Sequence, residues 1–277
     1  MNEYSVVITA HNQRDFVREA VFSALQQSVA PAKVLVVDDG STDEESLEVL
    51  AELCNLPGVE VVRQPNGGVS SARNLGISLV GTEYAAVLDG DDRWKPTFAE
   101  RAVELLDVDD NLEGASSWMK MFGVATALVQ PGGGTLVDFL SRNQSPSSIM
   151  MRKSAWLETG GYDETMRDGF EDWDLCLSLL AGGGAIQIVR KALIEYRTSP
   201  VSANIASMDG RRELFARLID KHSNHYNANY RQVLLDLDDG RQLHLRNWEE
   251  LASQGQKTAT FGDGGMAAVV RIESRNS

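Results

Sequence analysis

An α/β fold with a mostly parallel central sheet flanked by helices, followed by a small β-rich C-terminal appendage, is what the sequence predicts. Two observations lead there. The first hundred residues alternate short Val-rich runs with stretches of helical periodicity, as in a sheet built through crossover connections. From about residue 230 apolar and polar residues alternate instead, around Asp239-Gly240 and again over residues 258–273, which are two hairpin signals. The expected division is residues 1–224 as one α/β domain and 225–277 as the appendage.

Residues 4–10 (YSVVITA), 33–39 (KVLVVDD), 59–64 (VEVVRQ) and 84–89 (YAAVLD) read as strands, being short, β-branched and bounded by polar residues or glycine. Residues 14–27 place Phe16, Val17, Ala20, Val21, Ala24 and Leu25 at helical spacing, and residues 43–53 do so with Leu47, Leu50 and Leu53. Ser41 or Thr42 is the expected cap of the second helix, with Glu44 and Glu45 favoured in its first turn by the dipole. "NGGVSSARNLGI" (66–77) reads as a tight turn running into a helix capped by Ser70 or Ser71. Beyond residue 110 the pattern loosens: "QPGGGT" (130–135) and "GGG" (182–184) punctuate it, and "SSIMMRKSAW" (147–156) reads as a strand entering a short helix. "GGYDETMRDGFEDWDLCLSLL" (160–180) is a Gly-rich turn, a loop and an amphipathic helix carrying Trp173, Leu175, Leu177, Leu179 and Leu180. Residues 209–223 make another helix. His222 and His225, without a third ligand nearby, read as a polar helix end rather than a zinc site.

The chain has 277 residues, 43% of them hydrophobic, and a formal net charge of -14. That charge excludes a protein that wraps nucleic acid, a task driven by Lys and Arg, but leaves room for a phosphate-bearing small molecule held by a metal or a few local cations. No apolar stretch reaches the ~20 residues that cross a bilayer, and "MNEYSVVITAHN" lacks the features of a signal peptide, so a cytoplasmic protein without a membrane span is expected. Peripheral membrane association and a homodimer stay open. The two cysteines, Cys54 and Cys176, are expected as buried free thiols.

In an open sheet of this kind ligands bind outside the carboxyl ends of the strands. The polar residues there are Thr9, His11 and Asn12 after the first strand, Asp38 and Asp39 after the second, and Asp89, Asp91 and Asp92 after the fourth. Alone, the run "DGDD" is as well explained by an acidic turn as by a divalent-cation site. Three polar clusters on one sheet edge favour a site. Arg73 and Asn74 lie in the first turns of the helix that follows Gly68, near the same edge; Arg73 reads either as a phosphate contact or as a surface ion pair. Glu171, Asp172 and Asp174 open the helix at 171, where acids also serve as dipole complements.

The segments "VVITAHNQ", "VLVVDDGSTD", "NGGVSSARNLGI", "AAVLDGDDRWKP" and "GGYDETMRDGFEDWDL", in this order and spacing over residues 4–200, resemble the inverting family 2 glycosyltransferases of GT-A fold. The resemblance implies that Thr9, His11 and Asp39 line the pocket for the base of a sugar nucleotide, usually uridine, with Asn12, Gly68, Arg73 and Asp89 completing the nucleotide-sugar set. It implies that Asp89 and Asp91 are the acids of a D-x-D motif, that Asp92 can replace one of them as ligand, and that the motif holds Mg²⁺ or Mn²⁺ against the diphosphate. Asp172 takes the place of the general base, and Glu171 orients the acceptor or shares that task. Implied partners are a nucleotide-sugar donor and a hydroxyl-bearing acceptor. The expected activity is transfer from a UDP-sugar in polysaccharide or glycoconjugate synthesis.

Two departures stand out. Thr9-Ala10-His11-Asn12 occupies the place of Pro-x-Tyr-Asn, and Tyr196-Arg197 leads into "TSPVSAN" without the His that many members carry there. Two other readings compete. A sugar-phosphate nucleotidyltransferase would show a Gly-rich basic loop after the first strand, where this chain has "TAHNQR". A catalytically degenerate module that binds sugar nucleotides or docks a protein would have lost acids that are all present here.

Overall fold

The computed structural model describes residues 2–199, 210–253, 258–263 and 266–271. The N-terminal half runs β1 (Tyr4–Ala10), α1 (Asp15–Leu25), β2 (Lys33–Asp38), α2 (Glu44–Leu53), β3 (Val59–Arg63), α3 (Val69–Leu79) and β4 (Tyr84–Asp89). It continues through β5 (Arg93–Trp94), α4 (Phe98–Val108), β6 (Leu112–Gly123), β7 (Ala127–Val129), α5 (Leu136–Leu140), β8 (Met150–Arg152), α6 (Lys153–Thr159), α7 (Glu171–Leu180) and β9 (Ala185–Thr198). Helices α8 (Arg211–Lys221) and α9 (Ser223–Ser253) and the strands β10 (Thr258–Asp263) and β11 (Met266–Arg271) follow.

One sheet carries the order β3-β2-β1-β4-β8-β6-β9-β5, with β7 paired to β6. The first four strands are parallel, as expected. Beyond them the sheet is mixed rather than mostly parallel: β8 runs against both β4 and β6, β5 against β9 and β7 against β6, while β6 and β9 are parallel. All seven residues of β1 are buried, because helices cover both faces. Val6 and Ile8 point into a core shared with α1, α2 and α4, and Val7 points into a second core with α3, α6 and α7. Helix α3 lies close on this second face. A Cβ on Gly76 would run into Val7 Cγ1 and lie 3.1 Å from Val37 Cγ2.

The expected hairpin around Asp239-Gly240 is not formed; those residues lie inside α9. Tyr226 and Val233, one heptad apart, are buried in the second core, so a helical stripe exists beneath the apolar–polar alternation. Docking that stripe against α5 outweighs the roughly 1 kcal/mol that Gly240 costs a helix. The second hairpin is present, with β10 and β11 antiparallel in register from Thr258–Arg271 to Asp263–Met266. Both cysteines are free, but Cys54 is exposed rather than buried. No helix among the described residues is long and apolar enough to cross a membrane.

Gly76→Ala should lower stability by about 1–3 kcal/mol, because β-branched Val7 cannot turn away from the added methyl. Urea unfolding should show a lower midpoint with an unchanged slope.

Candidate active site

The C-terminal ends of β1, β2 and β4 meet the N-termini of α3 and α7, and each meeting is fastened by named hydrogen bonds. Asp39 anchors α3: the Gly67 and Gly68 N–H groups donate to its two carboxylate oxygens at 2.8 and 2.9 Å, and Gln64 Nε2 donates to Oδ1 at 2.7 Å. The anion received at this helix N-terminus is thus the chain's own. Gly68, with φ 91°, is the residue before the first turn, in place of the expected Ser70 or Ser71 cap. On α2 the cap is Asp43, whose side chain accepts from Ser46 N at 3.0 Å, rather than Ser41 or Thr42.

His11 Nδ1 donates to the Asp39 carbonyl at 2.9 Å, which leaves Nε2 as an acceptor with the amides of Asn12 and Asn66 both at 3.3 Å. Asn12 turns its carbonyl to the Thr42 and Asp43 N–H groups at 2.8 and 3.2 Å, so it staples the β1 loop to the β2 loop. Thr9 is buried, and its carbonyl accepts from Gly90 N at 3.0 Å. A Cβ on Gly90 would run into Gln13 Oε1 and lie 2.7 Å from Thr9 O, which is why a glycine separates Asp89 from Asp91.

Arg73 is neither at the surface nor open to a ligand along its whole fork. It is 2% exposed; Nη2 donates to Asp89 Oδ1 at 2.7 Å, Nη1 donates to Glu171 Oε1 at 2.9 Å, and the guanidinium lies 5.2 Å from the Tyr162 ring centroid. One cation therefore ties the end of β4 to the first residue of α7. Asn74 pins the adjoining loop, exchanging hydrogen bonds with the Tyr162 backbone at 2.9 and 2.8 Å. Asp172 is the next residue along α7, held by Trp173 N on Oδ1 at 2.8 Å and by Asn143 Nδ2 on Oδ2 at 2.9 Å.

These acids carry unequal loads. Burial pushes the Asp89 carboxyl up, but the Arg73 charge and hydrogen bonds from Arg73, Ser147 and Thr9 outweigh it and hold the group below its ordinary range. Asp91 is pushed up to about 6 by burial and by Asp89, against a weaker pull from Arg197. Asp92 is also raised, by burial and then by Asp91 and Asp89, although Arg197 N donates to its Oδ1 at 2.7 Å. Asp172 is raised to about 7 by burial and by Glu171, with Arg73 and Trp173 N–H opposing. Among the described residues neither Asp91 nor Asp92 forms an ion pair, and no group of three His, Cys, Asp or Glu residues is arranged to hold a metal by itself. An all-oxygen set with two under-compensated acids suits a hard divalent ion that also takes ligand oxygens from elsewhere.

Residues 5–117 match the family model described as Glycosyl transferase family 2, and residues 118–232 match the one described as Glycosyltransferase like family 2. The chain belongs to glycosyltransferase family 2. Among its family-2 relatives, the succinoglycan biosynthesis protein ExoU of Rhizobium meliloti is 32% identical over 206 residues, covering 66% of this chain and 58% of that protein. The chondroitin synthase of Pasteurella multocida is 30% identical over 181 residues, covering 63% of this chain and 18% of its own length. The chain thus spans less than two thirds of the length of each of these curated relatives. The crystal structure of S. aureus TarS 1-349 in complex with UDP superposes with a TM-score of 0.60 at 20% identity, covering 78% of this chain and 65% of that one, which shows the GT-A-type fold.

In this family-2 chain the structure brings Thr9, Asp89, Arg73, Glu171 and Asp172 together and sets Asp91 and Asp92 on the turn beside them. His11, Asn12, Asp39 and Gly68 lie at the neighbouring β1 and β2 ends. Asn143 and Ser147, which touch Asp172 and Asp89, were not singled out from sequence; their polar loop "RNQSPSS" carries no periodicity to mark them. The "TSPVSAN" departure runs into residues 200–209, which lie outside the described residues.

Arg73→Ala leaves two buried or half-buried carboxylates facing one another and should cost about 3–5 kcal/mol in urea unfolding. Arg73→Lys should recover less than half, because an ammonium cannot present two N–H groups in a fixed fork.

Proposed function

We propose that this chain is an inverting glycosyltransferase that moves a sugar from a UDP-sugar onto an acceptor hydroxyl, in the assembly of a polysaccharide or glycoconjugate. The observation that carries the reading is the shared Arg73, which ties the acid at the end of β4 to the acid pair opening α7. The names of the relatives, a chondroitin synthase and a succinoglycan biosynthesis protein, support the product class. UDP in the TarS complex supports the nucleotide.

Inversion by direct displacement needs a base on one face of the sugar and charge stabilisation on the other. Asp172, with an ionisation near neutrality, accepts the proton of the acceptor hydroxyl as its oxygen bonds to the anomeric carbon. The bond from that carbon to the diphosphate oxygen breaks in the same step, and its electrons leave with the nucleotide. Glu171, fixed by Arg73, flanks the acceptor side and raises the basicity of Asp172. Asp91, with Asp89 or Asp92, would hold Mg²⁺ or Mn²⁺, whose charge when bound offsets that of the departing diphosphate. His11, held to the Asp39 carbonyl, offers its ring where family members commonly stack a Tyr on the base. Arg73 acts here as the clamp between acids rather than as a direct phosphate ligand.

The test is a thermal-shift panel of nucleoside diphosphates with and without Mn²⁺, followed by transfer assays. UDP should stabilise the protein only with metal present, and Asp91→Ala should abolish that stabilisation; metal-independent binding would overturn the metal role. Asp172→Asn should reduce transfer by about 100-fold or more while keeping UDP binding. Because the base works ionised, the wild-type rate should climb with pH through about 7 and level off above it. A rate that falls over that interval would remove Asp172 from the role.

A further inference from the structure

We propose that Asn143 is a positioning residue for the base: its side-chain amide, buried between α5 and β8, donates to Asp172 Oδ2, fixes the orientation of that carboxylate and favours its ionised form. Only the role of Asp172 in this inference rests on the glycosyl-transfer reading.

The amide has one possible orientation. Ser145 N–H, which can only donate, meets Asn143 Oδ1 at 3.1 Å, so the NH₂ group must face Asp172 Oδ2 at 2.9 Å. Asn143 is 5% exposed, so water cannot readily replace it as the donor. Trp173 N–H grips the other oxygen at 2.8 Å. Asp172 is thus held once by its own helix and once by a separate loop. That same loop sends Ser147 Oγ to Asp89 Oδ2 at 3.0 Å and Ser148 Oγ to the Val87 carbonyl at 3.1 Å, so its position is referenced to β4. Together with Arg73, which joins Asp89 to Glu171, the loop closes a circuit that sets Asp172 relative to the D-G-D-D turn and not merely relative to α7.

The charged and titratable groups facing Asp172 are Glu171 on its own helix, Asp89 from β4, Arg73 from α3, and the buried Tyr162 and Cys176. Glu171 and Asp89 disfavour its charge, and Arg73 favours it. The Asn143 donor adds to the favourable side, and removing it should raise the titration midpoint of Asp172 by about one pH unit.

Asn143→Asp is the informative variant. It retains an acceptor for Ser145 N–H, and hence the loop, while turning an acceptor toward Asp172. The Asp172 carboxyl is followed by ¹³C NMR, assigned by its absence in Asp172→Asn. Its midpoint should rise by about one pH unit in Asn143→Ala and further in Asn143→Asp, and the acid limb of the transfer rate should move with it, while UDP binding stays unchanged. In the unaltered protein the Asn143 side-chain NH₂ resonance should titrate with the Asp172 midpoint, a measurement that needs no variant to fold. An Asp172 midpoint indifferent to both substitutions, or an Asn143 resonance indifferent to Asp172, overturns the inference. Midpoints that move as expected in a protein that consumes no nucleotide sugar would instead overturn the glycosyl-transfer reading and leave the positioning intact.

Discussion

A single buried guanidinium holds the site together. Arg73 gives up its hydration to reach Asp89 and Glu171, and burial opposes its charge; the two carboxylates outweigh that opposition and keep it firmly protonated. Its position follows from backbone constraints upstream. Asp39 receives the Gly67 and Gly68 N–H groups, which fixes where α3 starts, and Gly76 lets the helix lie close on Val7, which fixes its height above the sheet. A bulkier residue at Gly76 or a neutral one at Asp39 would therefore act on the acids through Arg73, without touching them.

The distribution of compensation among the acids is as informative as their number. Asp89 has a cation and two hydroxyl donors, so its charge is a fixed part of the fold. Asp91 and Asp92 lack an equal answer among the described residues and repel one another, and Asp172 ionises near neutrality. A molecule selected only for stability would have little reason to bury these groups beside one another. The strain is concentrated where a cation, a diphosphate and an acceptor proton would relieve it.

The parallel half of the fold was legible because its strands are Val-rich and its helices amphipathic. The mixed half was not. β6 reads "LEGASSWMKMFG", with Ser116 and Ser117 fully buried, so neither alternation nor an apolar run announces it. β9 breaks register against β6 between Ser117 and Trp118, which spoils its period of two. In α9 the hairpin reading gave weight to Asp239-Gly240, whereas tertiary burial of Tyr226 and Val233 decided the outcome. At the site, the acids were legible as residue types at strand and helix ends. The partners that orient them were not, since Asn143 and Ser147 are ordinary loop residues until the chain folds back on β4 and α7.

Helix α7 is held from beneath as well as at its tip. Asp174, buried one position beyond Trp173, accepts from Lys221 Nζ at 2.7 Å and pairs with His222 Nε2 at 2.8 Å, where α8 gives way to α9. Phe215 of α8 stacks on Trp173 with ring centroids 5.3 Å apart, and the Trp173 indole donates to the Phe139 carbonyl of α5 at 2.7 Å. Phe170 enters the helix with φ 65°, a left-handed conformation that packing against Trp173 holds in place. Asp172 is therefore carried on a helix whose roll is fixed by α5, α8 and the α8–α9 junction and whose tip is fixed by Arg73. Phe215, Lys221 and His222 thus set the register of α7, and through it the face that Asp172 presents to the acids of β4.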